Sequence, residues 1–202
     1  MELSVVDLGL GNLHSVVSAA HRVGAKATII RGAEAIGRAS RILVPGQGAF
    51  GDGTRALSGP GEADGVGEAL LERIAAGVPY LGICLGMQLL FERSEEAPGA
   101  QGLGLFRGEC RKFVAAPERK VPHMGWNVAS SAHPFIDDGG YYYFVHSYYC
   151  VPEDKTLVAA TADYDGAFCA AVAQDNVLAT QFHPEKSQRR GESLLRRFLE
   201  SP

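Results

Sequence analysis

Val78-Pro79-Tyr80-Leu81-Gly82-Ile83-Cys84-Leu85-Gly86-Met87-Gln88-Leu89 opens as an apolar run and closes on a helical spacing. Its first six residues read as a buried strand, and Leu85, Gln88, Leu89 and Phe91 recur at helical intervals behind it. Between the two lies a G-x-C-x-G junction over 82–86, the thiol counterpart of the G-x-S-x-G nucleophile elbow. The flanking glycines permit a sharp turn that lifts the thiol above the end of a sheet. There it meets the N-terminus of the next helix, whose unpaired N–H groups and dipole favour a thiolate. The N–H of Leu85 would point where an oxyanion forms. A buried core cysteine would satisfy the same five residues.

Upstream of this junction, strand and helix alternate. Leu3 to Asp7 reads as a strand, and Gly9-Leu10-Gly11-Asn12 turns into a helix running to about Val23. Lys26 to Ile30 is a second strand, and Ile42-Leu43-Val44 runs into the loop Pro45-Gly46-Gln47-Gly48. Phe50 to Gly67 is polar and glycine-rich, and a helix from about Val66 to Ala76 ends at Gly77. This alternation predicts a parallel sheet covered on both faces. Downstream, 141–149, 156–162, 167–173 and 177–182 read as strands separated by Asp/Gly turns, which predicts antiparallel additions. A last helix over 188–200 carries Leu194, Leu195, Phe198 and Leu199 on one face. The expected architecture is therefore α/β, one domain over 1–202, with a mostly parallel central sheet and antiparallel additions in the C-terminal half.

Composition narrows the function classes. A chain of 202 residues that is 46% hydrophobic is an ordinary globular chain. Glycine is the outlier at 25 of 202 residues, about 12% against a usual ~7%. A net charge of −4 gives no footprint for nucleic acid. No apolar run approaches the roughly 20 residues needed to span a bilayer, and the first residues lack a secretory-signal pattern, so a cytoplasmic location is expected. Cys84, Cys110, Cys150 and Cys169 form no C-x-x-C pair, so neither a metal site nor a disulfide framework is expected. Cys110, Cys150 and Cys169 read as small buried hydrophobes.

A thiol nucleophile needs a base, and the base needs a group to orient it. Among six histidines, His183 stands in Gln181-Phe182-His183-Pro184-Glu185. Proline keeps the preceding residue out of the helical region, so His183 is extended, and in an extended chain positions i and i+2 share a face. Glu185 can hold one imidazole nitrogen while the other faces Cys84. A plain turn would account for His-Pro-Glu alone. With the elbow it completes the set of nucleophile, base and acid. Gln88, one helical turn beyond Cys84 on the same face, suits a substrate contact.

Gly82-Ile83-Cys84-Leu85-Gly86-Met87-Gln88 together with Gln181-Phe182-His183-Pro184-Glu185-Lys186-Ser187 resembles the class I (triad) glutamine amidotransferases, nearly throughout the chain. That resemblance implies a flavodoxin-like, three-layer glutaminase fold. In this family a cysteine attacks the side-chain amide of glutamine, ammonia leaves, and water clears the glutamyl thioester. Carried over, Cys84 is the nucleophile, His183 the general acid/base and Glu185 its orienter, with the Leu85 N–H in the oxyanion hole.

Four further segments, 7–13, 45–50, 121–127 and 143–148, resemble the glutaminase subunits of imidazole glycerol phosphate synthase, from histidine biosynthesis. The resemblance implies no cofactor and no metal. It implies a heterodimer with a separate cyclase subunit, which uses the ammonia to make imidazole glycerol phosphate and an aminoimidazole carboxamide ribonucleotide. Gln47 would belong to a loop whose backbone N–H turns toward the oxyanion. Gly46, Gln88, Glu96, His146, Ser147 and Tyr148 would hold glutamine. Asn12, Met124, Trp126 and Tyr143 would face the cyclase and the ammonia gate. Two departures stand out: the family usually has valine at Gln47 and tyrosine at Leu8. Because the oxyanion donor is a backbone group, Gln47 can still serve.

Other readings compete with these. Asn12 reads equally as the cap of the first helix, and Glu95-Glu96 as a solvated pair. Tyr141, Tyr142, Tyr143, Tyr148 and Tyr149 have no basic residues among them, so alternating buried strand residues fit better than a base-stacking platform. For the whole chain, the rivals are a glutaminase of another pathway such as the small anthranilate-synthase type, a non-catalytic glutamine-sensing scaffold, and a Cys-His-Glu peptidase. The copurifying partner, labelling of Cys84 by a glutamine-like electrophile, and cleavage of casein would separate them.

Overall fold

The computed structural model describes residues 1–58, 65–116 and 119–201. Its first half alternates strand and helix: β1 (Glu2–Val6), α1 (Leu13–Arg22), β2 (Lys26–Ile30), α2 (Gly32–Gly37), β3 (Ile42–Val44), α3 (Phe50–Ser58), α4 (Val66–Ala75), β4 (Tyr80–Ile83) and α5 (Leu85–Gln88). The second half is mainly strand: β5 (Phe91–Ser94), β6 (Phe106–Lys112), β7 (His123–Ser131), β8 (Gly140–His146), β9 (Tyr148–Pro152), β10 (Val158–Asp163), β11 (Ala167–Gln174) and β12 (Val177–Thr180), closed by α6 (Gln188–Glu200).

The central block of the sheet runs β2-β1-β3-β4-β12, all parallel. This is the doubly wound, flavodoxin-like order with β12 as its fifth strand. From β12 the sheet continues antiparallel through β11, β10, β7 and β8, while β9, β6 and β5 branch from β11. The expected combination of parallel core and antiparallel additions is present. The surprise is β12, a C-terminal strand that returns to the parallel block and pairs with β4.

Alternation along the short strands divides two cores. Leu3, Val5, Leu43, Leu81 and Ile83 pack on the face covered by Val16 and Ala20 of α1 and Leu195 and Phe198 of α6. Val6, Ile42, Val44 and Tyr80 pack on the other face, with Ile36 of α2, Leu57 of α3 and Leu70 of α4. Each such fully buried aliphatic or aromatic side chain contributes about 1.5–3 kcal/mol.

Several elements differ from the sequence reading. The helix after Cys84 lasts only four residues, and Phe91, expected on its face, begins β5 and pairs with Phe106. The stretch 50–67, noted only as polar and glycine-rich, holds α3, whose buried Phe50, Gly53, Thr54 and Leu57 form an apolar stripe; residues 59–64 of that stretch lie outside the described ones. The strand expected over 141–149 is broken at Ser147 into β8 and β9, which pair with different neighbours, β7 and β6. The strand expected from Thr156 starts at Val158, because Asp154 caps a short turn over Lys155–Leu157.

Helix α6 packs directly on the segment that follows His183. A Cβ at Gly191 would overlap the Pro184 carbonyl, so α6 and that segment meet backbone to backbone. In an open helix Ala at this site would stabilise by roughly 1 kcal/mol. Here the overlap dominates: Gly191→Ala is expected to destabilise by about 1–3 kcal/mol, seen as a lower midpoint in thermal denaturation. A raised midpoint would show that the two backbones are not in contact.

Candidate active site

Three adjacent parallel strands end at one edge, and each delivers part of a site, as expected for the carboxyl ends of strands in an open α/β sheet. β3 runs into Pro45-Gly46-Gln47, β4 into Cys84, and β12 into Gln181-Phe182-His183. In register, Val44 lies beside Gly82 and Thr180 beside Ile83. The Cys84 N–H donates to the Thr180 carbonyl at 2.7 Å. Cys84 itself sits at φ 53°, ψ −102°, a conformation that costs a non-glycine residue on the order of 1–3 kcal/mol. The turn is closed by contact: a Cβ on Gly86 would overlap the Val44 carbonyl, and one on Gly46 would overlap Leu85. The elbow expected from the G-x-C-x-G spacing is thus present.

His183 is extended at φ −101°, ψ 98°, so Gln181 and His183 turn to one face and Phe182 to the other. Phe182 stacks on Tyr142 with ring centroids 4.2 Å apart, which anchors the segment in the core. His183 Nδ1 lies 2.8 Å from Glu185 Oε1, with both side chains buried. The other ring nitrogen, Nε2, has no hydrogen-bond partner. Burial disfavours the charged ring, but Cys84 and Glu185 on either side outweigh it and push the His183 pKa up to about 10.

A cavity of about 410 Å³ opens at Cys84. Of the residues expected to hold glutamine, Gln88, Glu96, His146, Ser147 and Tyr148 line it, together with Gln47 of the expected oxyanion loop. Glu96 Oε2 accepts the Phe50 N–H at 2.7 Å. Gly46 lies beneath the cavity, packed on Leu85. Asn12 caps α1, its Oδ1 accepting from the Ser15 N–H at 3.4 Å, the structural alternative weighed for it. Its turn abuts the Gln47 loop, since a Cβ at Gly11 would come within 2.9 Å of the Gln47 nitrogen. Met124 and Trp126 stand out on β7, 62% and 47% exposed. Trp126 meets Tyr143 edge to face at 6.0 Å.

Lys186 was not singled out from the sequence, although it lies in the quoted motif. Its Nζ stands 5.7 Å from the Tyr143 ring centre and its side chain lines the Cys84 cavity, so it joins the two. Cys110, Cys150 and Cys169 are buried as expected, with Cys110 and Cys150 in sulfur–sulfur contact at 3.6 Å. A larger cavity of about 990 Å³ lies elsewhere, by α2 and α3. Its carboxylate, Asp7, is already tied to the Arg31 Nε at 2.7 Å, and among the described residues neither a cysteine nor a histidine lines it. Among the described residues no cluster of His, Cys, Asp and Glu could hold a metal, and no helix is long and apolar enough to cross a membrane.

His146 and His123 form a buried pair behind the cavity. The Tyr148 carbonyl only accepts, so His146 Nδ1, 2.8 Å away, carries the hydrogen. His146 Nε2 then accepts from His123 Nδ1 at 3.0 Å, and His123 Nε2 accepts from Asn127 Nδ2 at 3.3 Å. A proton on either ring would set two N–H donors against each other. Burial, joined by repulsion from His123 and His183 and opposed by the Tyr148 carbonyl, pushes His146 down to about 3, and burial pushes His123 down to about 4. The unfolded chain takes up these protons near pH 6.5, so it binds more protons than the folded chain between there and about pH 4. Stability is therefore expected to fall as pH drops through that window, by about 1.4 kcal/mol per pH unit for each histidine. Urea unfolding of the parent and of His123→Gln at several pH values checks this. The variant should show a shallower slope; an equal one would contradict the assignment.

The fold and the site define a class-I glutamine amidotransferase, and the family model for "Glutamine amidotransferase class-I" matches residues 4–201. A solved glutamine amidotransferase superposes with a TM-score of 0.77 at 22% identity, covering 98% of this chain and 97% of that one. PurLQS from Thermotoga maritima shares the fold with a TM-score of 0.75 at 17% identity, covering 98% and 97%. Imidazole glycerol phosphate synthase subunit HisH of Rhodopirellula baltica is 45% identical over 99% of this chain and 98% of that one. The HisH of Pyrococcus furiosus is 42% identical over 97% of each. The chain belongs to the HisH family of imidazole glycerol phosphate synthase subunits.

Proposed function

We propose that this chain hydrolyses glutamine at Cys84 and passes the ammonia to a cyclase subunit. The observation that carries the reading is Cys84, strained at a strand end, beside the buried pair His183–Glu185. The thiolate attacks the carboxamide carbon, and the oxyanion forms against the N–H of Leu85 and that of Gln47 once its loop turns inward. The His183 imidazolium then gives its proton to the amide nitrogen, which leaves as ammonia, and a thioester remains. A water loses a proton to the neutral imidazole and attacks the thioester, releasing glutamate and restoring the thiolate. Glu185 holds Nδ1 throughout and stabilises the imidazolium. Glu96 and Ser147, with the polar groups of Gln88, His146 and Tyr148, suit the α-amino and α-carboxylate ends of glutamine.

As a HisH-family subunit, the chain serves histidine biosynthesis. Its partner is the cyclase, which makes imidazole glycerol phosphate and an aminoimidazole carboxamide ribonucleotide. The relatives' names favour this pathway over an anthranilate-synthase type, and the complete Cys-His-Glu set favours a catalyst over a sensing scaffold. Ammonia becomes protonated in neutral water and stops being a nucleophile, which favours a covered route. Exposed Met124 and Trp126, with Tyr143 between them and the cavity and Asn12 at the mouth of the oxyanion loop, make up the partner face. Four free thiols suit a reducing compartment, and we place the enzyme in the cytoplasm.

Two assays test this. In the assembled complex, Cys84→Ala should abolish glutamine-dependent synthesis and leave synthesis from added ammonium salt intact; retained glutamine turnover would overturn the assignment. Glutamate release should be slow for the chain alone and rise on adding cyclase with its ribonucleotide substrate. Equal rates would refute coupling.

A further inference from the structure

The side chain of Gln181 is fully buried between β12 and His183, and its Nε2 lies 3.5 Å from Cys84 Sγ. Which end of the amide faces the sulfur is fixed by a chain of donors that starts at a backbone carbonyl. The Tyr148 oxygen can only accept, so the Gln88 group 3.1 Å from it is the NH₂, Nε2. That same Nε2 lies 3.3 Å from the Gln181 Oε1 and donates its second hydrogen there. The reverse orientation of Gln181 would set two NH₂ groups against each other in a buried site and leave its oxygen against the sulfur. Gln181 therefore offers an N–H to Cys84.

We infer that Gln181 is a catalytic residue: its Nε2–H donates to the Cys84 sulfur and stabilises the thiolate over the thiol. The assignment rests on the proposed role of Cys84 as nucleophile. As a thiol, Cys84 has the Val145 carbonyl 4.0 Å away as an acceptor. As a thiolate it needs donors, and the amide supplies a neutral one beside the His183 imidazolium. Hydrogen bonds to a charged group are the stronger kind, and a buried amide already oriented by Gln88 needs no rearrangement to make one. The position follows from the chain itself: Gln181 and His183 are two residues apart on one extended segment, so both reach the sulfur from the same side.

The test uses iodoacetamide, which needs no glutamine site, on the complete chain, with alkylation of the Cys84 peptide followed by mass spectrometry as a function of pH. Gln181→Met keeps the volume and removes the donor; Gln181→Glu replaces the donor with a group that repels the thiolate. Both variants are expected to alkylate about tenfold more slowly than the parent near neutral pH. They should regain the parent's rate at high pH, where every thiol is ionised, which also shows that Cys84 is still exposed and folded in place. In the complex, glutaminase kcat should fall with KM nearly unchanged. If both variants follow the parent's pH curve, or remain slow at high pH, Gln181 is a packing residue and the inference fails. If the parent's Cys84 does not react with iodoacetamide at any pH, the nucleophile assignment has failed instead.

Discussion

The hydrogen bond from the Cys84 amide to the Thr180 carbonyl ties together the ends of two parallel strands drawn from opposite halves of the chain. Neighbouring strands lie about 4.8 Å apart, so whatever follows β4 and whatever follows β12 are brought within side-chain reach. That single pairing places a cysteine beside a histidine. It also sets demands nearby. The chain must leave β4 through a conformation costly to a non-glycine residue, and Gly46 and Gly86 must let two backbones touch to hold it there. The strain at Cys84 is supported by this packing, and by α6 pressing on Pro184 from below.

Electrostatics then separates the histidines of the site. His183 lies between the Cys84 sulfur, which acts on it as a thiolate, and the Glu185 carboxylate, and the two anions overcome burial and keep it charged. His146 and His123 are buried as well, but each is bonded to an acceptor or to the other, and both stay neutral. One is equipped to move a proton; the other two form a fixed wall that carries the Tyr148 carbonyl, Gln88 and, through them, the amide of Gln181.

The parallel block was legible because its strands are short apolar runs ending in glycine turns, and the elbow because Gly82, Cys84 and Gly86 crowd one junction. The His183–Glu185 pair was legible because Pro184 fixes the local geometry of His183. What the sequence hid was non-local. Nothing in Val177-Leu178-Ala179-Thr180 says that this strand pairs parallel with β4 and not as a hairpin arm alone. The helical stripe of α3 was masked by Gly51 and Gly53. The helix after Cys84 stops because Phe91 finds a strand partner in Phe106, a contact invisible to periodicity. Gln181 and Lys186 were inside a quoted motif, yet their contacts depend on Gln88 and Tyr143, which only the fold brings near. Part of the glycine excess finds its place too, with Gly11, Gly46, Gly82 and Gly86 at close approaches around the site.

The central claim is that Cys84 carries the glutamyl group. Acid quenching of the assembled complex during turnover of glutamine, followed by mass analysis of the peptide carrying Cys84, tests it directly. The account requires a fraction of that peptide to gain the mass of one glutamyl group, in a form released by mild base. Steady glutamine turnover with no acyl group on Cys84 would contradict it.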